Sequence, residues 1–88
     1  MREEVLKRVR DYVVESWLNG DARGFDDDTD MQRMGILDSF STLALVAFLE
    51  ETFKVQIEPV EINAESFRNV NAIASLVFAK LTALSAAV

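Results

Sequence analysis

One hydroxyl in this chain sits where it can do chemistry. In Gly35-Ile36-Leu37-Asp38-Ser39-Phe40 a glycine-containing loop gives way to an amphipathic helix, and Ser39 falls at the junction. The first amides of a helix have no partner within it, and the helix start carries a partial positive charge. A phosphate ester on Ser39 would therefore meet a favourable field. The plainer role for the same pair is end-capping, because Asp and Ser are among the side chains most often found at helix starts.

Little else in the chain can react. There is no cysteine and no histidine among the 88 residues. That removes disulfides, thiolate metal sites, a thiol nucleophile and the commonest general base together. Covalent chemistry, if any, must use a group imported on a prosthetic group. The run Asp26-Asp27-Asp28-Thr29-Asp30 has the alternate acidic spacing that opens an EF-hand loop. The rest of that loop fails, with Met31 where the sharp turn needs glycine and Leu37 where a bidentate glutamate is needed. The run reads as a solvated acidic loop, and no metal ligands are assigned.

A formal charge of −6 and a pI near 4.5 argue against nucleic acid and anionic membrane surfaces as partners. Basic protein surfaces are the natural complement. The longest unbroken apolar run, Leu43 to Leu49, is far below the roughly 18 residues of a membrane span. No apolar stretch follows Met1-Arg2-Glu3-Glu4. A soluble, cytoplasmic protein is expected, with residues 1–88 forming one domain.

The elements that must position Ser39 are helical. Val5, Leu6, Val9, Tyr12, Val13 and Trp17 make one apolar stripe, and Gly20 stops that first helix. The pattern then fades from Asp21 to Leu37, with scattered Phe25, Met31, Met34, Ile36 and Leu37. Loops of that length are usually functional or mobile. A second helix is expected from about Ser39 to Phe53 with Asp38 as its cap. Pro59 breaks the chain, Asn63 caps a short helical turn through Phe67, and a last helix begins near Asn69. Its stripe is Val70, Ile73, Leu76, Val77, Leu81 and Leu84. The fold class is all-α: a four-helix bundle with one short third helix and a long loop after helix one.

Several of these features occur in an order that resembles the acyl and peptidyl carrier proteins. They are Gly-Ile-Leu before Asp38-Ser39-Phe40, Glu50-Glu51-Thr52-Phe53 then Val55 at the end of the second helix, an acidic connection with Pro59, and Phe67, Val70 and Ile73 opening the last helix. The resemblance spans roughly Asp30 to Leu81 and implies the same four-helix architecture. It further implies that Ser39 is the attachment residue for 4′-phosphopantetheine. Asp38 would assist the phosphopantetheinyl transferase through the metal bound to the incoming coenzyme A. The domain itself would do no catalysis. Its other partners would be an acyl- or aminoacyl-activating ligase and downstream acyl-accepting enzymes.

The second helix has two apolar sides. Thr42, Leu45, Val46, Leu49 and Phe53 share one, which the bundle interior requires. Phe40, Ala44, Ala47 and Glu51 share the other, and with Leu43 they form the expected partner-binding face beside Ser39. That second face can instead be core if the helix is buried on most sides. Carriers of fatty-acid synthesis usually bear acidic residues near the serine, whereas Ser41, Thr42, Ala44 and Ala47 stand here. The departure points to discrete carriers of specialised pathways. Phe48, Phe53, Phe67, Phe78 and Trp17 are bulky candidates for the interior, which leaves little room for a long acyl chain and favours a small load. The alternative is a helical adaptor that binds a partner through the Phe40 face without a prosthetic group.

Overall fold

The structure is a computed structural model that describes residues 2–86, with side chains to residue 83. Three α-helices carry it: α1 (Arg2–Trp17), α2 (Ser39–Phe53) and α3 (Val70–Ala86). The expected short third helix takes a lesser form. A 3-10 turn at Pro59–Glu61 is followed by one hydrogen-bonded turn, in which the Asn63 side chain accepts from the Ser66 amide at 2.8 Å.

Local signals set the helix ends. After Trp17 the chain turns through Asn19 and Gly20, both at positive φ, and the Gly20 amide reaches back to the Val14 carbonyl. Asn19 tolerates the left-handed region better than most residues, and glycine enters it freely. At the other end of the chain Asn69 caps α3 by accepting from the Ala72 amide at 2.7 Å.

The core is one contiguous cluster. Val5, Val9 and Val13 of α1 meet Leu45 and Leu49 of α2 and Val70, Ile73 and Val77 of α3, with Phe67 and Met31 also buried. α1 packs chiefly along α3, and α2 touches α3 more sparingly. Val14 is buried as well, although the 3.6-residue stripe omits it, while Leu6, Tyr12 and Trp17 are only half-buried. In α3, Leu76 and Leu81 are half-buried; the side chain of Leu84 lies outside the described residues.

The long connection between α1 and α2 is not the mobile loop its composition implies. Phe25, Met31 and Ile36 are plugged into the core. Both nitrogens of the Arg10 fork donate to the Asp27 carboxylate, at 2.7 and 2.8 Å. The Asp27 carbonyl accepts from the Asn71 amide at 3.0 Å, and the Met31 amide donates to the Arg68 carbonyl at 2.8 Å. Elsewhere in the acidic run the carboxylates hold local turns, with Asp26 accepting from the Asp28 amide and Asp30 from the amides of Gln32 and Arg33. Among the described residues no group of three or more His, Cys, Asp or Glu stands together as metal ligands.

Candidate functional site

Asp38 closes the start of α2. Its backbone is extended (φ −113°, ψ −170°) and its Oδ1 accepts from the Ser41 amide at 2.8 Å, while its carbonyl takes the Thr42 amide. That leaves Ser39 as the first helical residue, exposed to solvent. The Ser41 backbone amide, then the Ser41 hydroxyl, hold the Asp38 carboxyl below the usual carboxylate range. An ionised acid thus stands next to the exposed hydroxyl. The helix start is less open to an anion than the pattern of residues implies, because Asp38 has already claimed the Ser41 amide.

The approach to this junction is rigid. Gly35 has φ +76°, where an L side chain would be strained. The turn it allows brings the Ile36 amide back to the Met31 carbonyl at 3.0 Å and seats Ile36 in the core. Ser39 is therefore anchored on one side by a buried isoleucine and on the other by α2. Beside it lies an open depression lined by Leu37, Asp38, Ser39, Thr42, Leu43 and Ile62.

The two sides of α2 separate cleanly. Ser41, Leu45, Val46 and Leu49 are buried, and Thr42 and Phe53 are half-buried. Phe40 is 79% exposed and Leu43 is 63% exposed, with Ala47 and Glu51 also in solvent. Ala44 is half-buried, its carbonyl 3.4 Å from the Tyr12 hydroxyl that donates to it. The α1 flank of α2 is closed by aromatic rings: Tyr12 stacks on Phe48 at 4.0 Å between centroids, and Trp17 and Phe53 meet them edge-on. Of the bulky residues expected inside, Phe67 is fully buried while Trp17, Phe48, Phe53 and Phe78 are half-buried.

Three residues lining the depression, Leu37, Thr42 and Ile62, are not among the expected site residues. Two residues before Ile62, Val60 stands out from the 3-10 turn at 81% exposure. The only cue in the sequence is Pro59, which fixes φ and marks a turn but says nothing of which side chains the turn presents.

An exposed serine thus follows a capping aspartate at the head of a helix with an apolar outer face. The family model described as a phosphopantetheine attachment site matches residues 7–77. This chain belongs to that family. Its members are non-catalytic carriers with covalently attached 4′-phosphopantetheine, which sets aside an adaptor lacking the group. The probable acyl carrier protein PigG of Serratia sp. (strain ATCC 39006) is 31% identical over 70 residues, covering 80% of each chain. A chain in a crystal structure described as that of an FAD-dependent dehydrogenase superposes with a TM-score of 0.70 and 36% identity. The match covers 76% of the present chain and 94% of that one, which is therefore itself of carrier size. Among the described residues no helix is long and apolar enough to cross a membrane.

Proposed function

We propose that this is a single discrete carrier domain whose Ser39 bears 4′-phosphopantetheine, on which an acyl or aminoacyl group is held as a thioester for a specialised biosynthetic pathway. The observation that carries the reading is the Asp38–Ser39 junction: an exposed hydroxyl beside a carboxylate that its own helix keeps ionised. In the transfer reaction the Ser39 oxygen attacks the β-phosphorus of coenzyme A. The phosphoanhydride bond breaks, adenosine 3′,5′-bisphosphate leaves and the serine proton passes to the transferase. Asp38, whose Oδ1 accepts from the Ser41 amide, would help hold the transferase's metal.

The carrier works by tethering. A flexible arm holds the intermediate at high effective concentration for whichever enzyme is docked, and the outer face of α2 (Phe40, Leu43, Ala44, Ala47, Glu51) selects that enzyme. A ligase loads the arm in the cytoplasm, where coenzyme A and ATP are at hand. Downstream we assign an FAD-dependent dehydrogenase, the enzyme named for the structure that holds the 36% identical chain. Such an enzyme would oxidise the carried group while this chain's arm presents it.

Intact mass after reaction with coenzyme A and a broad-specificity phosphopantetheinyl transferase tests the attachment. Wild type gains the phosphopantetheine mass and Ser39→Ala does not, with melting moved by no more than about 0.5 kcal/mol in stability, as for an exposed residue next to an intact cap. Mass gain by the variant removes Ser39 from the mechanism. The load is assigned as small, because Phe67, Met31, Leu45 and Leu49 are buried together in the core and the depression beside Ser39 is open. Core methyl shifts at Leu45, Leu49 and Leu76 should stay put when the arm carries an eight-carbon acyl group. Widespread shifts there would mean that the chain enters the bundle.

A further inference from the structure

The segment that delivers the chain to Ser39 is tied by hydrogen bonds to α1 and to the start of α3, and both ties meet at Asp27. Its carboxylate accepts both nitrogens of the Arg10 fork, at 2.7 and 2.8 Å, and its carbonyl accepts the Asn71 amide at 3.0 Å. Asn71 is the second residue of α3, where a helix amide has no partner within its own helix. One loop residue therefore grips α1 with its side chain and satisfies the start of α3 with its backbone. The Asn71 side chain returns the contact by donating to Asp28 Oδ1 at 2.6 Å.

Four residues on, Met31 passes this anchorage towards the serine. The residues between are not slack, because the Thr29 amide closes a turn on the Asp26 carbonyl at 3.2 Å. Met31 is fully buried, and its amide donates to the Arg68 carbonyl at 2.8 Å. Its own carbonyl accepts the amides of Ile36 at 3.0 Å and Leu37 at 3.5 Å. Ser39 thus stands two residues beyond a backbone pinned at Met31, with only the Asp38 cap between. Gln32 adds a tie from the same stretch, its side-chain nitrogen donating to the Ala64 carbonyl at 3.2 Å.

The loop holds a second carboxylate–guanidinium pair that makes the point by contrast. Arg23 also forks onto Asp21, but that contact spans two residues and its guanidinium side chain is 91% exposed. It stiffens a local turn and cannot place the loop. The Arg10–Asp27 pair joins groups 17 residues apart, and a two-point contact of this kind fixes direction as well as distance. Without it the strap of residues 26–37 opens more readily as a unit, since few ties hold it and its backbone is costly to order. That freedom reaches the serine, and a reacting group misplaced by about 1 Å loses up to about 100-fold in rate.

We infer that Asp27 is a positioning residue for the modification of Ser39: clasped by Arg10, it holds the strap so that the serine is presented to the transferase in one place. The inference rests on the carrier reading. To test it, wild type, Asp27→Ala and the control Asp21→Ala are compared as substrates of a broad-specificity phosphopantetheinyl transferase with coenzyme A, at a temperature where circular dichroism shows each to be folded. Asp27→Ala should lower kcat by about threefold or more while KM for the carrier stays within about twofold, because the residues around Ser39 are unchanged and only its placement is lost. The amide NMR signals of Ile36, Leu37 and Ser39 should move in Asp27→Ala and stay in place in Asp21→Ala, which should also be modified as fast as wild type. A wild-type kcat in folded Asp27→Ala, or an equal loss in Asp21→Ala, overturns the positioning role. So does a loss confined to KM, which would make Asp27 a contact of the transferase. Failure of wild type itself to gain the prosthetic-group mass overturns the carrier reading beneath it. If Asp27→Ala does not fold, Arg10→Gln takes its place with the same fall in kcat expected and a wild-type kcat again overturning the proposal.

Discussion

The two sides of α2 are built from similar residues and put to opposite uses. Leu45 and Leu49 are fully buried at 0% exposure, while Leu43, two residues from Leu45, is at 63% and Phe40 at 79%. Burying a side chain of this size removes about 1.5 to 3 kcal/mol of unfavourable hydration, and the outer side forgoes that gain. The difference teaches that apolar character alone does not assign a helix face. What assigns it is the geometry of the neighbours. α3 and Met31 cover one side and the Tyr12–Phe48 stack closes a flank, whereas among the described residues nothing covers Phe40.

The sharpest way to break the comparison is to put the same charge on each side. Leu49→Asp should unfold the domain, because an unpaired carboxylate would lie in a core with no polar partner. The milder Leu45→Ala should cost about 2 to 5 kcal/mol, according to how far the cavity collapses. Urea titration followed by circular dichroism reads both. A folded, cooperative Leu49→Asp would mean that the buried side of α2 is not core.

A smaller effect belongs to the long loop, whose Asp27–Arg10 contact holds it across α1. The Arg10 hydrogen bonds keep the Asp27 carboxyl below the usual carboxylate range. Because the folded value is depressed, this contact adds stability at neutral pH and loses it as pH falls through that lowered value. Asp27→Asn should therefore cost about 1 to 2 kcal/mol at pH 7 for a partly exposed fork-to-carboxylate pair. The gap between variant and wild type should narrow as the pH falls below the usual carboxylate range and through the lowered value, where Asp27 takes up its proton. A gap independent of pH would show that the ion pair contributes nothing.

The same loop shows why part of the fold was hidden from the sequence. The bounds of α2, its Asp38 cap and the Asn69 start of α3 can be read directly, because each cap is an interaction within three residues. The loop is held instead by partners far along the chain. Arg10 and Asp27 are 17 residues apart, and Asn71 and Asp28 are 43 apart. No local periodicity encodes such pairs, and a tract of Gly, Asp and Thr looks unstructured without them. At the site, Ser39 and Asp38 are legible because the motif is contiguous. Ile62 is not, because its place in the depression with Ser39 comes from the return of the chain after α2. The outer face of α2 is legible as a helical stripe, but its exposure is a tertiary fact.

The smallest expected effect on stability sharpens the comparison most. Phe40→Asp changes a residue that is 79% exposed, at the second position of a helix whose first turn holds no acidic residue. Surface substitutions of this sort lie within about 0.5 kcal/mol of neutral. A carboxylate in the first turn also faces the positive end of the helix, which favours it slightly. Urea midpoints of wild type and Phe40→Asp should accordingly coincide, or the variant should lie slightly higher at low salt and lose that margin as salt is added. The same side chain would sit in a desolvated contact when an enzyme docks, so a variant as stable as wild type should still dock poorly. If Phe40→Asp proved as destabilising as Leu49→Asp, the outer side of α2 would be core in solution, and the docking face would not survive.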